Sequence, residues 1–194
     1  MAAGPRSYPG ECPGCYDMTV AENVDRPMGP FSVAPIGWVR SPYQRRFGTP
    51  QQATAVDSDE DAVLELDAQQ IPESALADLA GIERLWIVSW LHRGGSWAPK
   101  VMPPRGLRVR RSLFSTRSPD RPNPIGLSAV RLIRIAGCNL HVKGIDLLDG
   151  TPILDLKPYV PYADAFPDSA IGWLKAVQPN SLQIARYEPG DKAK

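Results

Sequence analysis

Leu127-Ser-Ala-Val-Arg-Leu-Ile-Arg-Ile135, Leu140-His-Val-Lys-Gly-Ile145 and Pro152-Ile-Leu-Asp-Leu156 are three short runs separated by Gly137 and by Asp149-Gly150. In the first run, Leu127, Ala129, Arg131, Ile133 and Ile135 fall on one side and Ser128, Val130, Leu132 and Arg134 on the other, the two-residue period of a strand. Turn residues between the runs predict strands in hairpin-like succession, a meander. Working outward, Leu85 to Leu91 is a β-branched and aromatic run too short for a typical helix, so it also reads as a buried strand. Val33 to Val39 reads as a strand whose Pro35 places it at an edge or bulge. Ala62 to Leu66 alternates, as does Arg108 to Ser115, with Val109, Leu113 and Phe114 inward, and Ser181 to Tyr187 reads as a last strand. Helical turns are expected over Pro72 to Ala80, stopped by Gly81, and over Ser169 to Val177. The fold class is therefore mainly β: an antiparallel β-barrel with small peripheral helices, closure removing exposed sheet edges.

A chain of 194 residues with 43% hydrophobic content can bury one sizeable core. Residues 1–32 hold Pro5, Pro9, Pro13, Pro27 and Pro30 without apolar periodicity and read as an N-terminal extension, 33–187 as the barrel domain and 188–194 as a tail. Twenty-one prolines are about twice the ordinary share of roughly 5%, which favours short strands and structured loops. No apolar run reaches the roughly 18 residues of a membrane span, the N-terminus has no apolar signal stretch, and three cysteines suit a reducing compartment. These features predict a cytoplasmic protein. Cys12-Pro-Gly-Cys15 has the spacing of half a zinc site, but no second pair follows, and no metal is expected.

The formal net charge of +1 excludes global basicity, yet the charge is segregated. Nine acids and no Lys or Arg lie between Asp57 and Glu83, whereas Lys100 to Arg121 holds seven basic residues against Asp120 alone. Arg105, Arg108, Arg110 and Arg111 can meet phosphates, or can simply solvate a strand face. Within Ser115-Thr-Arg-Ser-Pro-Asp-Arg-Pro-Asn-Pro-Ile-Gly126, Pro119, Pro122 and Pro124 fix φ and stiffen the backbone without regular hydrogen bonding. Arg117 and Arg121 offer planar forks to a carboxylate or phosphate, and Ser118 and Asn123 offer polar contacts. Asp155 and Lys157 leave the same face of a strand; they suit either a simple ion pair or a part in proton transfer. His92 ends a strand beside Gly94-Gly95. No phosphate-binding Gly-rich loop, dinucleotide fingerprint or Gly-x-Ser-x-Gly elbow is present.

Pro35-Ile-Gly-Trp-Val-Arg-Ser-Pro-Tyr43, Pro103-Pro-Arg-Gly106, Phe114-Ser-Thr-Arg-Ser-Pro-Asp-Arg-Pro-Asn-Pro-Ile-Gly-Leu-Ser128 and Asp146-Leu-Leu-Asp-Gly-Thr-Pro-Ile-Leu-Asp-Leu-Lys-Pro-Tyr159 together resemble the TsaA-like (TrmO) family. The resemblance implies an antiparallel barrel that binds S-adenosylmethionine without a dinucleotide fold, commonly as a homodimer. It also implies methylation of the 6-amino nitrogen of threonylcarbamoyladenosine at tRNA position 37. On that reading Thr116, Arg117, Ser118, Arg121, Asn123, Pro124 and Ile125, with Asp146, Asp149, Gly150 and Thr151, line the cofactor site. Asp155, or Tyr159 polarised by Lys157, accepts the proton. Arg105, Arg108, Arg110 and Arg111 meet tRNA phosphates, and His92, Trp90 or Trp97 stacks near the base. Gln51 stands where the family's Pro-Arg-Gln has Arg, and the chain ends soon after the expected barrel. A barrel methyltransferase acting on a small molecule, and a non-catalytic cofactor- or RNA-binding module, are the competing classes.

Overall fold

Alternating burial defines the strands. The computed structural model describes residues 32–46, 49–50, 53, 61–103 and 108–176. Gly37–Arg40 forms β1, with Val39 fully buried, and Asp61–Leu66 forms β2, with Ala62, Leu64 and Leu66 inward. Arg84–Trp90 (β3) buries Leu85, Ile87 and Ser89 and turns Trp86, Val88 and Trp90 outward. A small two-stranded sheet pairs Lys100–Val101 (β4) with Arg111–Ser112 (β5). Ile125–Ala136 (β6), Asn139–Lys143 (β7) and Pro152–Pro158 (β8) complete the set. Short 3-10 turns occupy Glu73–Leu79, Leu113–Ser115 and Gly172–Ala176, and Pro161–Asp164 is a single helical turn (α1).

Six strands close into an antiparallel barrel in the order β1-β2-β7-β6-β3-β8. The mainly β class and the barrel thus agree with the sequence reading, but the meander does not. β6 and β7 form the expected hairpin through Gly137, whose φ of 60° favours glycine. β8 instead pairs with β3 and β1, on the far side of the ring from β7. The segment from Gly144 to Thr151 must therefore cross the barrel end, and its apolar residues explain why: Ile145 and Leu147 are 1% and 4% exposed, closing the core like a plug. Its turn locks onto β1, with the Gly150 N–H donating to Val39 O at 2.8 Å and the Val39 N–H to Thr151 O at 2.9 Å.

Two irregularities reassign faces. A register shift between Leu132 and Arg134 leaves Ile133 half-exposed and sets Ile135 opposite buried Leu140, so Ile135 shares the inner face with Val130 rather than the outer face with Leu127. A second shift opposite Val88 and Ser89 lets both Ile153 and Leu156 face the core while Asp155 and Lys157 point outward. The strand expected over Arg108 to Ser115 shrinks to two residues, because the chain turns at Leu113; only Leu113 is buried, and Phe114 is 79% exposed. Pro35 precedes β1, which is paired on both edges rather than lying at an edge of the sheet. Ser181 to Tyr187 and the N-terminal extension lie outside the described residues.

Register places three connections together. Arg40 pairs with Val63, Trp90 with Ile125, Asp61 with Lys143 and Trp38 with Pro152, so β1, β3 and β7 end where β2, β6 and β8 begin. The chain between β1 and β2, between β3 and β6, and between β7 and β8 therefore emerges at one end of the barrel. No helix among the described residues is long and apolar enough to cross a membrane.

Closure at β1 tolerates no side chain at Gly37, where a Cβ would overlap Glu65 O and lie 2.8 Å from Leu66 Cα on β2. Gly37→Ala is expected to lower unfolding free energy by about 1–3 kcal/mol in urea titration, since backbone must move to admit it. An unchanged midpoint would contradict the pairing of Gly37 with Leu66.

Candidate functional site

The proline loop at this end is held in shape from within. The Thr116 N–H and hydroxyl both donate to Leu113 O, at 3.0 and 2.7 Å, and the Ser118 N–H reaches Thr116 Oγ1 at 3.3 Å. Arg121 Nη1 donates to Thr116 O at 3.0 Å and Ser118 O at 3.4 Å, while its guanidinium carbon lies 5.4 Å from the centroid of the Phe114 ring. The two arginines that look alike in sequence thus differ in use. Arg121 braces the loop. Arg117 is exposed and makes no hydrogen bond to a described residue, so its fork is available to a ligand. At the loop's exit the Leu91 N–H donates to Pro124 O at 2.7 Å, and the Ile125 N–H to Asn123 O at 2.8 Å.

Asp146 lies near Arg117 in the crossing segment. As a residue it is half-buried, but its carboxyl group is enclosed and both oxygens are engaged: Ser128 Oγ donates to Oδ1 at 2.5 Å and the Ala53 N–H to Oδ2 at 2.7 Å. Burial pushes the Asp146 carboxyl above its ordinary value, against the opposing pull of Ser128, the Ala53 amide and the Arg117 charge. Asp149 is taken up in the turn, its Oδ1 accepting from the Ser41 N–H at 3.2 Å; Gly150 has a φ of 72°, and Thr151 is buried. On β3, the Ser89 hydroxyl is fully buried without a hydrogen-bond partner and would lie 2.5 Å from a Cβ at Gly126. The cradle residues expected from Thr116 to Ile125 and from Asp146 to Thr151 are thus gathered at one barrel end, around a polar floor.

His92 lies at the same end, where burial, and secondarily the Arg93 charge, lowers its pKa and favours the neutral ring. Asp155, Lys157 and Tyr159 do not join it. They follow the outer wall of β8, where Lys157 Nζ pairs with Asp155 Oδ2 at 2.7 Å and the Tyr159 ring meets Trp86 at 5.4 Å. Asp155 shares an outward row with Val88 and Leu127, so at roughly 4.8 Å per strand it stands about 10 Å from Leu127 across the wall. Arg110 donates to Lys100 O at 3.4 Å within the small sheet, and the Arg111 guanidinium lies 5.0 Å from the Trp173 centroid, whose Nε1 donates to Ser115 O at 3.0 Å. Arg110 and Arg111 thus lie beside the small sheet and Arg108 is exposed just before it; Arg105, Gln51, Gln52, Cys12 and Cys15 lie outside the described residues. No group of three His, Cys, Asp or Glu suited to a metal occurs among the described residues.

Asp120, Arg46, Gly95 and Ser128 make contacts at this end although the sequence reading gives none of them a role. Asp120 and Ser128 lie within the quoted Phe114–Ser128 motif, and Asp120 is the single acid in the basic stretch. Arg46 and Gly95 carry no local pattern, because they meet Asp120 only through the fold.

Residues 38–165 match the family described as tRNA-methyltransferase O N-terminal domain. The Escherichia coli K12 tRNA (adenine(37)-N6)-methyltransferase is 36% identical over 166 residues, covering 81% of this chain and 70% of that protein. The human enzyme of the same name is 34% identical over 84% of this chain and 36% of its own length. An Archaeoglobus fulgidus protein, provisionally named an S-adenosyl-L-methionine-binding protein, is 38% identical over 75% of this chain and 38% of its own. The crystal structure of TrmO from Pseudomonas aeruginosa superposes with a TM-score of 0.63 at 36% identity, covering 75% of this chain and 63% of that one. The chain thus spans about two thirds or less of most of these relatives. With the match running from β1 through the cradle and the crossing segment to the turn after β8, the chain belongs to the tRNA-methyltransferase O family through that family's N-terminal domain.

Proposed function

We propose that this chain methylates the 6-amino nitrogen of threonylcarbamoyladenosine at position 37 of tRNA, with S-adenosylmethionine as donor. The observation that carries the reading is the free Arg117 fork on a stiff loop near the enclosed Asp146, within a domain of this family. An exposed guanidinium fits the donor's carboxylate, and the loop's Ser118, Asn123 and backbone amides fit its polar ends, so the residues present suit this ligand. Thr116, Arg121, Pro124 and Ile125 shape that cradle; Asp149, Gly150 and Thr151 fix the turn at the same barrel end. Bound S-adenosylmethionine supplies a methyl group on a positively charged sulfur.

The chain's own task is positioning and proton removal. A carbamoyl group acidifies the N6 proton, so a carboxylate suffices as acceptor, and Asp155 with Lys157 and Tyr159 beside it is the group we assign. This assignment requires the purine to lie against the outer wall over Val88 and Leu127, an apolar surface on which Leu127 is 56% exposed. Arg105, Arg108, Arg110 and Arg111 meet tRNA phosphates. His92, with Trp90 and half-exposed Trp97, offers stacking surfaces for a splayed base.

A homodimer in the cytoplasm completes the proposal. Tyr162 and Phe166, at 91% and 70% exposure beyond β8, offer apolar side chains that a second copy can cover. We assign the family's domain to 33–187 of the sequence, with 1–32 and 188–194 flanking it.

Single-turnover transfer of labelled methyl to bulk tRNA is the direct test: wild type should label it, and Asp155→Asn should do so roughly a hundredfold more slowly. Unlabelled tRNA with retained donor binding would favour the small-molecule enzyme, and binding without any transfer the non-catalytic module. Arg117→Ala should weaken donor binding about tenfold or more by calorimetry, and an unchanged affinity removes the assignment. Combining Arg110→Ala with Arg111→Ala should reduce the slope of log affinity for tRNA against log salt by roughly 2, and an unaltered slope returns these side chains to a solvated edge. Sedimentation should give twice the chain mass; a monomer at micromolar concentration contradicts the dimer.

A further inference from the structure

One carboxylate ties the proline loop to two other segments of the same barrel end. Asp120 Oδ1 accepts from Arg46 Nη2 at 2.8 Å and from the Gly95 N–H at 2.6 Å. Arg46 Nη2 also donates to Arg93 O at 3.2 Å, and Arg93 Nη1 donates back to Gln44 O at 2.7 Å. Gly94 sits between these ties, where an added Cβ would lie 3.6 Å from both Pro119 O and Pro124 Cβ. The segment after β1, the turn after β3 and the middle of the proline loop are thereby laced together.

We propose that Asp120 is a positioning residue: with Arg46 and the Gly95 amide it fixes the orientation of the Thr116–Ile125 loop, and so presents Arg117 to the carboxylate of S-adenosylmethionine. The inference rests on the cofactor reading of Arg117. The loop's internal bonds set its shape but not its tilt. Thr116 is held to Leu113 at the entrance and Pro124 to Leu91 at the exit, and between them the loop makes no backbone hydrogen bond to another described segment. Asp120, three residues from Arg117, is where the middle is tied by a side chain. The same tie fixes the distance between Arg117 and His92, because Gly95 belongs to the turn that carries His92.

Charge favours the tie. Burial opposes ionisation of Asp120, but the Arg46 hydrogen bond, the Gly95 amide and the Arg46 charge together outweigh it and hold the carboxyl below its ordinary value. Side-chain exposures of 47% for Arg46 and 29% for Asp120 moderate the energy, so the effect is one of orientation rather than of global stability.

Calorimetric titration of S-adenosylmethionine into full-length wild type, Asp120→Ala, Arg46→Ala and the double variant tests this, with hydrogen exchange measured over 91–95 and 116–124 without ligand. Each single variant should bind roughly fivefold more weakly, and the double variant no more weakly than Asp120→Ala. The KM for the donor should rise while kcat at saturating donor holds, and exchange should speed up in both segments together. Asp120→Asn, which keeps an acceptor for Gly95, should recover part of the affinity. Wild-type binding that both Asp120→Ala and Arg46→Ala leave unchanged overturns this inference alone, whereas wild type that gives no binding overturns the cofactor reading and this inference with it. Should Asp120→Ala fail to fold, Arg46→Ala decides, since its side chain is half in solvent.

Discussion

Pairing of β8 with β3 along one edge and β1 along the other closes the sheet, and the positions of the remaining parts follow from that closure. Pro152 and Pro158 stand at the strand's two ends, where a missing N–H costs the ladder least. Because β8 lies across the ring from β7, the chain between them has to span the barrel end. It does so with Ile145 and Leu147 turned into the core. The plug is the price of the topology, and it carries Asp146 to a place where burial disfavours the carboxylate while Ser128, the Ala53 amide, its own amide and the Arg117 charge favour it.

Closure also separates scaffold from site. Acidic β2 and the 3-10 turn at Glu73–Leu79 lead away from the mouth, whereas the loops bearing Arg117, His92 and Asp146 converge on it. Proline stiffening, the Arg121 brace and the Asp120 tie divide the work of preorganisation in the cradle: torsion, internal shape and tilt. A loop so constrained loses little entropy when it meets a ligand.

Much of this was legible in the sequence because burial has a period. Alternation located β2 and β6, a β-branched and aromatic run located β3 and the turn at Gly137 located β7, each to within a few residues, and Asp149-Gly150 marked the turn before β8. Strand order was not legible, since hairpin spacing is equally compatible with a meander, and the burial of Ile145 and Leu147 across the barrel end is what distinguishes the two. Bulges were hidden for a related reason: one extra residue flips every later side chain, which is why Ile135 turned inward and why Asp155 faces solvent. At the site, composition identified the cradle loop but could not tell Arg117 from Arg121. Their difference lies in which carbonyls each can reach once the prolines have bent the chain.

The proposed function puts ligand binding at the barrel end where β3 finishes and β6 begins, and every role proposed for the cradle depends on that position. Amide chemical-shift mapping during titration with S-adenosylmethionine tests it most directly. Perturbations should concentrate in 91–95, 116–127 and 144–151, with 67–83 at the opposite end unmoved. Perturbations centred on 67–83 and the Gly137 turn, with Arg117 and its neighbours silent, would contradict it.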